Sequence, residues 1–220
     1  MIPWVRLAAA AAPGGGELKL MQRGAEFSIM IGSDELMNSR RGGSEAALAT
    51  LACARLRDRP AAQLLIGGLG MGFTLRAALS FLGREARVTV AELVPEVIDW
   101  ARGSLAPVFE GCLEDPRVRV VASDVRRLLE VEGAYDAVVL DVDNGPGGLV
   151  QPGNDRLYDE AGLAQIRGAL RPGGILAIWS ASRDDDFVRR LRRTGFAVEE
   201  ATARSGRRRG ARHVVWIATA

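Results

Sequence analysis

The chain has 220 residues, 48% of them hydrophobic, and a formal net charge of only +2. That is enough apolar material for one sizeable core and too little net charge for a surface built around a polyanion; nearly all the basic side chains are arginines, Lys19 being the only lysine. No apolar run approaches the ~20 residues of a membrane helix, and the two cysteines, Cys53 and Cys112, have no metal-ligand spacing, so neither a membrane nor a metal is expected.

Residues 1–12 contain an alanine run, but Pro3, Trp4 and Arg6 interrupt it and no cationic start precedes it, so the sequence reads as cytoplasmic rather than exported. Pro13-Gly14-Gly15-Gly16 is a flexible joint. Residues 18–22 and 25–31 then alternate in polarity, Gly32-Ser33-Asp34 makes a turn, and 35–39 supplies a partner strand, which together predict a small β-hairpin unit. Residues 1–43 are therefore read as an N-terminal extension with that unit, and 44–220 as the main domain. Gly42-Gly43-Ser44-Glu45 opens a helix over 45–57, with Ala46, Leu48, Leu51, Ala52 and Leu56 on one face and Pro60 beyond its end.

The stretch Leu64-Leu65-Ile66-Gly67-Gly68-Leu69-Gly70-Met71-Gly72 organises the rest of the chain. An apolar strand stops at four glycines within six residues, and helical spacing resumes at Phe73, Leu75, Ala78 and Leu79. Glycines at such a turn let a ligand approach the backbone, and the first N–H groups of the helix point into the same space, so a nucleotide-like ligand is the natural guest. The spacing differs from the dinucleotide fingerprint and from a phosphate loop. A β-branched strand over 87–91 ends on Glu92, about twenty residues on, where a ribose-binding acid belongs in an open α/β sheet. After a helix over 95–102, a third strand over 118–122 ends at Ser123-Asp124. Asp124 is suited both to contact a base and to cap a helix over 125–131.

A fourth strand ends at Asp141. Beyond it the pattern predicts a helix over 157–170, a turn at Arg171-Pro172-Gly173-Gly174, a strand over 175–180, an exposed helix over 185–194 and a terminal hairpin, 196–201 with 213–219. Alternating strands and helices imply an α/β, doubly wound, mainly parallel sheet, in which Glu92, Asp124 and Asp141 converge on the glycine loop at the carboxyl ends of the strands. The arginines over 189–193 and 204–212 lack aromatic interleaving and read as a solvated surface, so nucleic acid is not the expected partner. His213, the sole histidine, is expected on an edge strand, without a catalytic or metal role.

As a set, Ile66-Gly67-Gly68-x-Gly70-x-Gly72, Glu92 after the second strand, Ser123-Asp124 after the third, and the run from Tyr135 through Asp141-Val142-Asp143-Asn144-Gly145 resemble the class I S-adenosylmethionine-dependent methyltransferase superfamily. They are most similar to its spermidine synthase branch. The resemblance covers about residues 60 to 180 and implies a seven-stranded, Rossmann-like sheet. It also implies adenosyl-cofactor contacts from Gly67, Gly68, Gly70 and Gly72, from Glu92 and Leu93, and from Ser123, Asp124 and Asp141. Asp141 matches the general base, with Asp143 as a neighbouring candidate and Tyr158 as a pocket residue. Three departures stand out. Asn144 replaces a second aspartate, Gly70 replaces an aspartate that would hold the amino group of decarboxylated S-adenosylmethionine, and Gly43-Ser44-Glu45 replaces Tyr-His-Glu.

Two lost carboxylates weaken diamine recognition without touching adenosyl binding. The first reading is thus an S-adenosylmethionine-dependent methyltransferase acting on a small-molecule acceptor. The alternative is an aminopropyltransferase (spermidine synthase) using decarboxylated S-adenosylmethionine and a diamine. A third reading is an adenosyl-binding or dimerising protein without catalysis. By family analogy the chain is expected to form a homodimer.

Overall fold

Apolar residues alternate along the central strands, and each alternate set is buried on its own face of one sheet. The computed structural model describes residues 2–142, 145–146, 155–206 and 210–220. Four antiparallel strands come first: β1 (Val5–Ala11), β2 (Glu17–Arg23), β3 (Glu26–Ile31) and β4 (Asp34–Asn38). Next come α1 (Gly43–Cys53), β5 (Gln63–Gly67), α2 (Phe73–Phe81), β6 (Arg87–Glu92), α3 (Pro95–Arg102), the short α4 (Ala106–Phe109), β7 (Val118–Ala122), α5 (Val125–Leu128) and β8 (Tyr135–Leu140). The chain finishes with α6 (Asp155–Tyr158), α7 (Glu160–Ala169), β9 (Leu170–Ser180), α8 (Asp185–Arg193), β10 (Ala197–Arg204) and β11 (Arg212–Thr219).

The large sheet has the order β10-β11-β9-β8-β5-β6-β7, parallel from β9 to β7, with β11 antiparallel to both of its neighbours. This is the expected doubly wound, seven-stranded arrangement. Leu64 and Ile66 of β5 join one apolar cluster with Val139, Ala177 and Ile217, while Leu65 joins the other with Val138, Leu140, Leu176 and Trp216. Successive strand residues point to opposite faces, so a sheet covered on both sides reads as a near-continuous apolar run. The chain order reverses between β5 and β8, which leaves a crevice at their carboxyl ends.

Four local readings change. The N-terminal unit is a four-stranded sheet rather than a hairpin, because the alanine-rich stretch pairs with β2 from Val5↔Gln22 to Ala11↔Glu17. Alanine's preference is helical, and cross-strand pairing overrides it. The expected helix over 157–170 is divided: Asp159 accepts the Gly162 N–H through its side chain and caps α7 after the short α6. The turn at 171–174 lies within β9, whose register against β8 shifts between Tyr135 and Ala137, with Gly173 at φ 68°. The helix after β7 is one turn, Val125–Leu128. Buried Leu20 and Ile29 of the small sheet belong to the same apolar cluster as Leu64 and Leu75, so the two sheets share a core.

Candidate functional site

The glycine turn lies where β5, β6 and β8 end side by side. The Gly68 N–H donates to Ala91 O (2.9 Å), and the Asp141 N–H donates to Gly67 O (3.0 Å). Gly68 has φ 88°, and a Cβ there would stand 2.5 Å from the Asp141 carbonyl oxygen, so a side chain is excluded twice over. Gly72 opens α2 at φ 75°, and its missing Cβ makes room for the Phe109 ring, a packing reason. Gly67 abuts Leu140. Gly70 faces open space, its nearest neighbour being Met37 Sδ at 3.5 Å.

Glu92 ends β6 and is 9% exposed. Its Oε2 accepts the Leu69 N–H (3.0 Å) from the glycine turn, and its Oε1 accepts the Val94 N–H (2.9 Å). Burial pushes its pKa up, and these backbone bonds oppose the shift. The carboxylate thereby clamps the turn to the end of β6, and the Leu93 and Gly70 N–H groups also act on it. Leu93 beside it is exposed. Asp124 caps α5 by accepting the Arg126 N–H (2.9 Å), as its position after β7 predicts, and also pairs with the Arg126 guanidinium (2.9 Å). Burial raises its pKa, but the Arg126 contacts outweigh that and leave it lowered. The Ser123 hydroxyl turns back to Asp124 O (3.2 Å).

Asp141 comes directly after β8. Its Oδ2 accepts the Thr74 hydroxyl of α2 at 2.6 Å, and the Glu45 carbonyl oxygen of α1 lies 3.4 Å from the same hydroxyl. Burial, together with the Glu45 charge, pushes Asp141 up to about 7, although the Thr74 bond pulls the other way. Glu45 is held in turn: its Oε2 accepts the Ser44 hydroxyl (2.6 Å), and His213 Nδ1 lies 2.8 Å from Ser44 Oγ. With the Ser44 proton on Glu45, Nδ1 of His213 is the donor to Ser44. Burial lowers the His213 pKa against the pull of Glu45, and its ring meets Trp179 edge-on, centroids 4.7 Å apart. His213 is not on an edge strand as expected: the final strand is inserted between β10 and β9, and its ring pairs into the interior.

Two cavities meet at this point. One, of about 160 Å³, has apolar walls from Ile29, Ile31, Val94 and Val97 and carries Glu92, Leu93, Ser123 and Asp124 at its edge. The other, of about 120 Å³, holds Glu45, Phe73 and Trp179. Leu36, Met37, Gly70 and Asp141 line both, so β4 of the small sheet forms a wall common to the two. The first is an apolar slot with a carboxylate at its edge and a loop whose Gly70 adds no bulk, a shape that suits a flat base with a polar sugar.

Tyr158 stands apart from both cavities. It is 2% exposed in the cluster on the far face of the sheet, with its hydroxyl 3.5 Å from Val142 O and its ring edge-on to Phe187. Asp143 and Asn144 lie outside the described residues. Thr74, Trp179, Leu36 and Met37 escape the sequence reading, because nothing local marks a buried threonine or a half-buried tryptophan, leucine or methionine as part of a site. Glu45 is visible there only as the residue that survives from a family motif.

No protein-family model matches the chain. It is 35% identical over 126 residues to polyamine aminopropyltransferase 2 of Pseudomonas aeruginosa, covering 55% of this chain and 34% of that one. It is 31% identical over 173 residues to the polyamine aminopropyltransferase of Corynebacterium efficiens, covering 76% of this chain and 31% of that one. Among solved structures, spermidine synthase from Thermotoga maritima aligns with a TM-score of 0.73 over 97% of this chain and 72% of that one, at 15% identity. The chain is thus similar in sequence to polyamine aminopropyltransferases and in fold to spermidine synthases. The matched stretch spans about a third of the length of the curated relatives. The fold is also shared with a Burkholderia thailandensis 1,6-didemethyltoxoflavin-N1-methyltransferase bound to S-adenosylhomocysteine, with a TM-score of 0.55 at 24% identity over 80% of this chain and 77% of that one. Among the described residues no helix is long and apolar enough to cross a membrane.

Proposed function

We propose that the chain is an adenosyl-sulfonium-dependent transferase that moves an aminopropyl group from decarboxylated S-adenosylmethionine to an amine. The observation that carries this reading is the meeting of two cavities at Asp141, one fitted to an adenosyl group and one bearing a second carboxylate, Glu45. The similarity to polyamine aminopropyltransferases supports aminopropyl over methyl transfer. When bound, the sulfonium supplies an activated carbon: its carbon–sulfur bond breaks as the acceptor nitrogen bonds to that carbon, and 5′-methylthioadenosine leaves.

The protein's part is alignment and proton removal. Glu92 holds the ribose hydroxyls, Gly68 and Gly70 let the sulfonium lie against the loop, and Leu93, Ser123 and Asp124 border the base. Asp141 takes the proton that the acceptor nitrogen loses. With its pKa near 7 it is ionised often enough at neutral pH to act as base, and basic enough to accept a proton. The Thr74 hydroxyl fixes which Asp141 oxygen remains free.

Methyl transfer from S-adenosylmethionine is the second reading, favoured by Gly70: the loop offers no carboxylate for the donor's ammonium. Calorimetric titration with S-adenosylmethionine, its decarboxylated form and the two matching thioethers separates the two. Preference for the decarboxylated pair is expected; preference for the carboxylated pair selects methyl transfer, and binding of none removes the adenosyl reading.

A further inference from the structure

We propose that the acceptor cavity beside Asp141 takes an amine with one charged nitrogen and an apolar body, rather than a diamine. The proposal rests on the reading of that cavity as the acceptor site and concerns only what fills it. Among the described residues that line it, Glu45 and Asp141 are the charged ones, and Thr74 links them, bonded to the Asp141 carboxylate and 3.4 Å from the Glu45 carbonyl. Burial and the charge of Glu45 push Asp141 up to about 7, so below that pH Asp141 is mostly protonated. The pair then carries about one net negative charge, which matches one ammonium. Trp179 adds an aromatic face to the same cavity, a further attraction for a single cation.

The remaining wall is of another kind. Leu36, Met37, Leu69, Met71 and Phe73 surround the cavity with carbon and thioether sulfur, and the glycines between them contribute backbone. Among the described lining residues a second ammonium placed there would lose its hydration and meet no opposite charge, which is costly, whereas a methyl or methylene gains by leaving water. Leu36 and Met37 come from the small N-terminal sheet, so the preference for an apolar body is built into the element that closes the site.

The test compares n-butylamine with 1,4-diaminobutane, which have the same carbon chain and differ in whether it ends in a methyl or a second ammonium. Each is titrated calorimetrically into the full chain at pH 6.0, where Asp141 is mostly protonated, with and without 5′-methylthioadenosine. Butylamine is expected to bind at least tenfold more tightly. Equal affinity, tighter binding of the diamine, or no binding of butylamine under either condition overturns the proposal. Glu45→Gln, with its fold checked by circular dichroism, is expected to weaken butylamine binding at least tenfold, and an unchanged affinity counts against the cation site. Failure to bind methylthioadenosine alongside a butylamine preference would overturn the transferase reading and leave this one standing. Methylthioadenosine binding with the diamine preferred does the reverse.

Discussion

Glu92 and Asp141 show how two carboxylates at equivalent strand ends acquire different tasks. Glu92 accepts the Leu69 and Val94 N–H groups, so it positions the turn; the proposed ribose contact would come from the same carboxylate. Replacing it with alanine leaves Leu69 and Val94 N–H groups without that acceptor and should weaken binding of S-adenosylmethionine or its decarboxylated form by ~1–3 kcal/mol in a calorimetric titration. Asp141 is poised by burial instead. Transfer should rise about tenfold per pH unit below pH 7 and level off above it, and Asp141→Asn should abolish that dependence while preserving adenosyl affinity. Stability carries the same signature with the opposite sense. Because folding raises the Asp141 pKa from 3.8 to about 7, the folded chain retains a proton that the unfolded chain releases between those values. That contribution therefore declines as pH rises from about 4 to about 7. The thermal midpoint of Asp141→Asn should fall less over this range than that of the natural protein.

At the scale of elements, the end of the sheet opposite the site is held by one acid. Asp136, 3% exposed at the start of β8, accepts Arg59 (2.7 Å) on one oxygen and both Arg171 (2.8 Å) and the Gln63 N–H (2.8 Å) on the other. It thus ties β8 to the first residue of β5 and to the irregular start of β9. Truncation strands a buried backbone donor and two guanidinium groups, one of them well exposed. Asp136→Ala should cost ~2–4 kcal/mol in denaturant unfolding and leave the adenosyl affinity of the folded protein unchanged. The arginines of α8 are similarly occupied: Arg189 pairs with Asp186, Arg190 donates to Tyr158 O (3.0 Å), and Arg193 pairs with Glu160 (2.7 Å). The last two bonds join the helices of one layer, a structural use for charges that read in sequence as a plain solvated surface.

For the molecule as a whole, the small sheet and the large one act together. The apolar cluster that contains Leu20, Phe27 and Ile29 also contains Leu48, Leu64 and Leu75, and β4 supplies two residues to both cavities. Splitting the chain into units at 43/44 describes its order in sequence, while the packing predicts one cooperative event. Thermal unfolding followed by circular dichroism and by tryptophan fluorescence should give coincident transitions, because Trp4 precedes β1 and Trp179 and Trp216 lie in the large sheet. Two separated transitions would show that the small sheet folds on its own.

Local periodicity and turn chemistry govern the part of the fold that the residues reveal in order along the chain. Period-two apolar runs, glycines where φ is positive at Gly68 and Gly72, and acids at Glu92, Asp124 and Asp141 are each set within a few residues, and so the doubly wound sheet and the carboxyl-end location of the crevice were legible. Only the tertiary structure decided the rest. The strand at Val5–Ala11 exists because β2 offers it hydrogen bonds, not because alanine prefers strands. The division of α6 from α7 depends on the Asp159 cap, and the burial of Tyr158 comes from its packing on Phe187. The smaller cavity joins residues of β4, α1, α2 and β9, which no spacing along the chain connects. Such a site is made by long-range packing, and burial, which moves the Asp141 pKa, is a property the chain has only once it is folded.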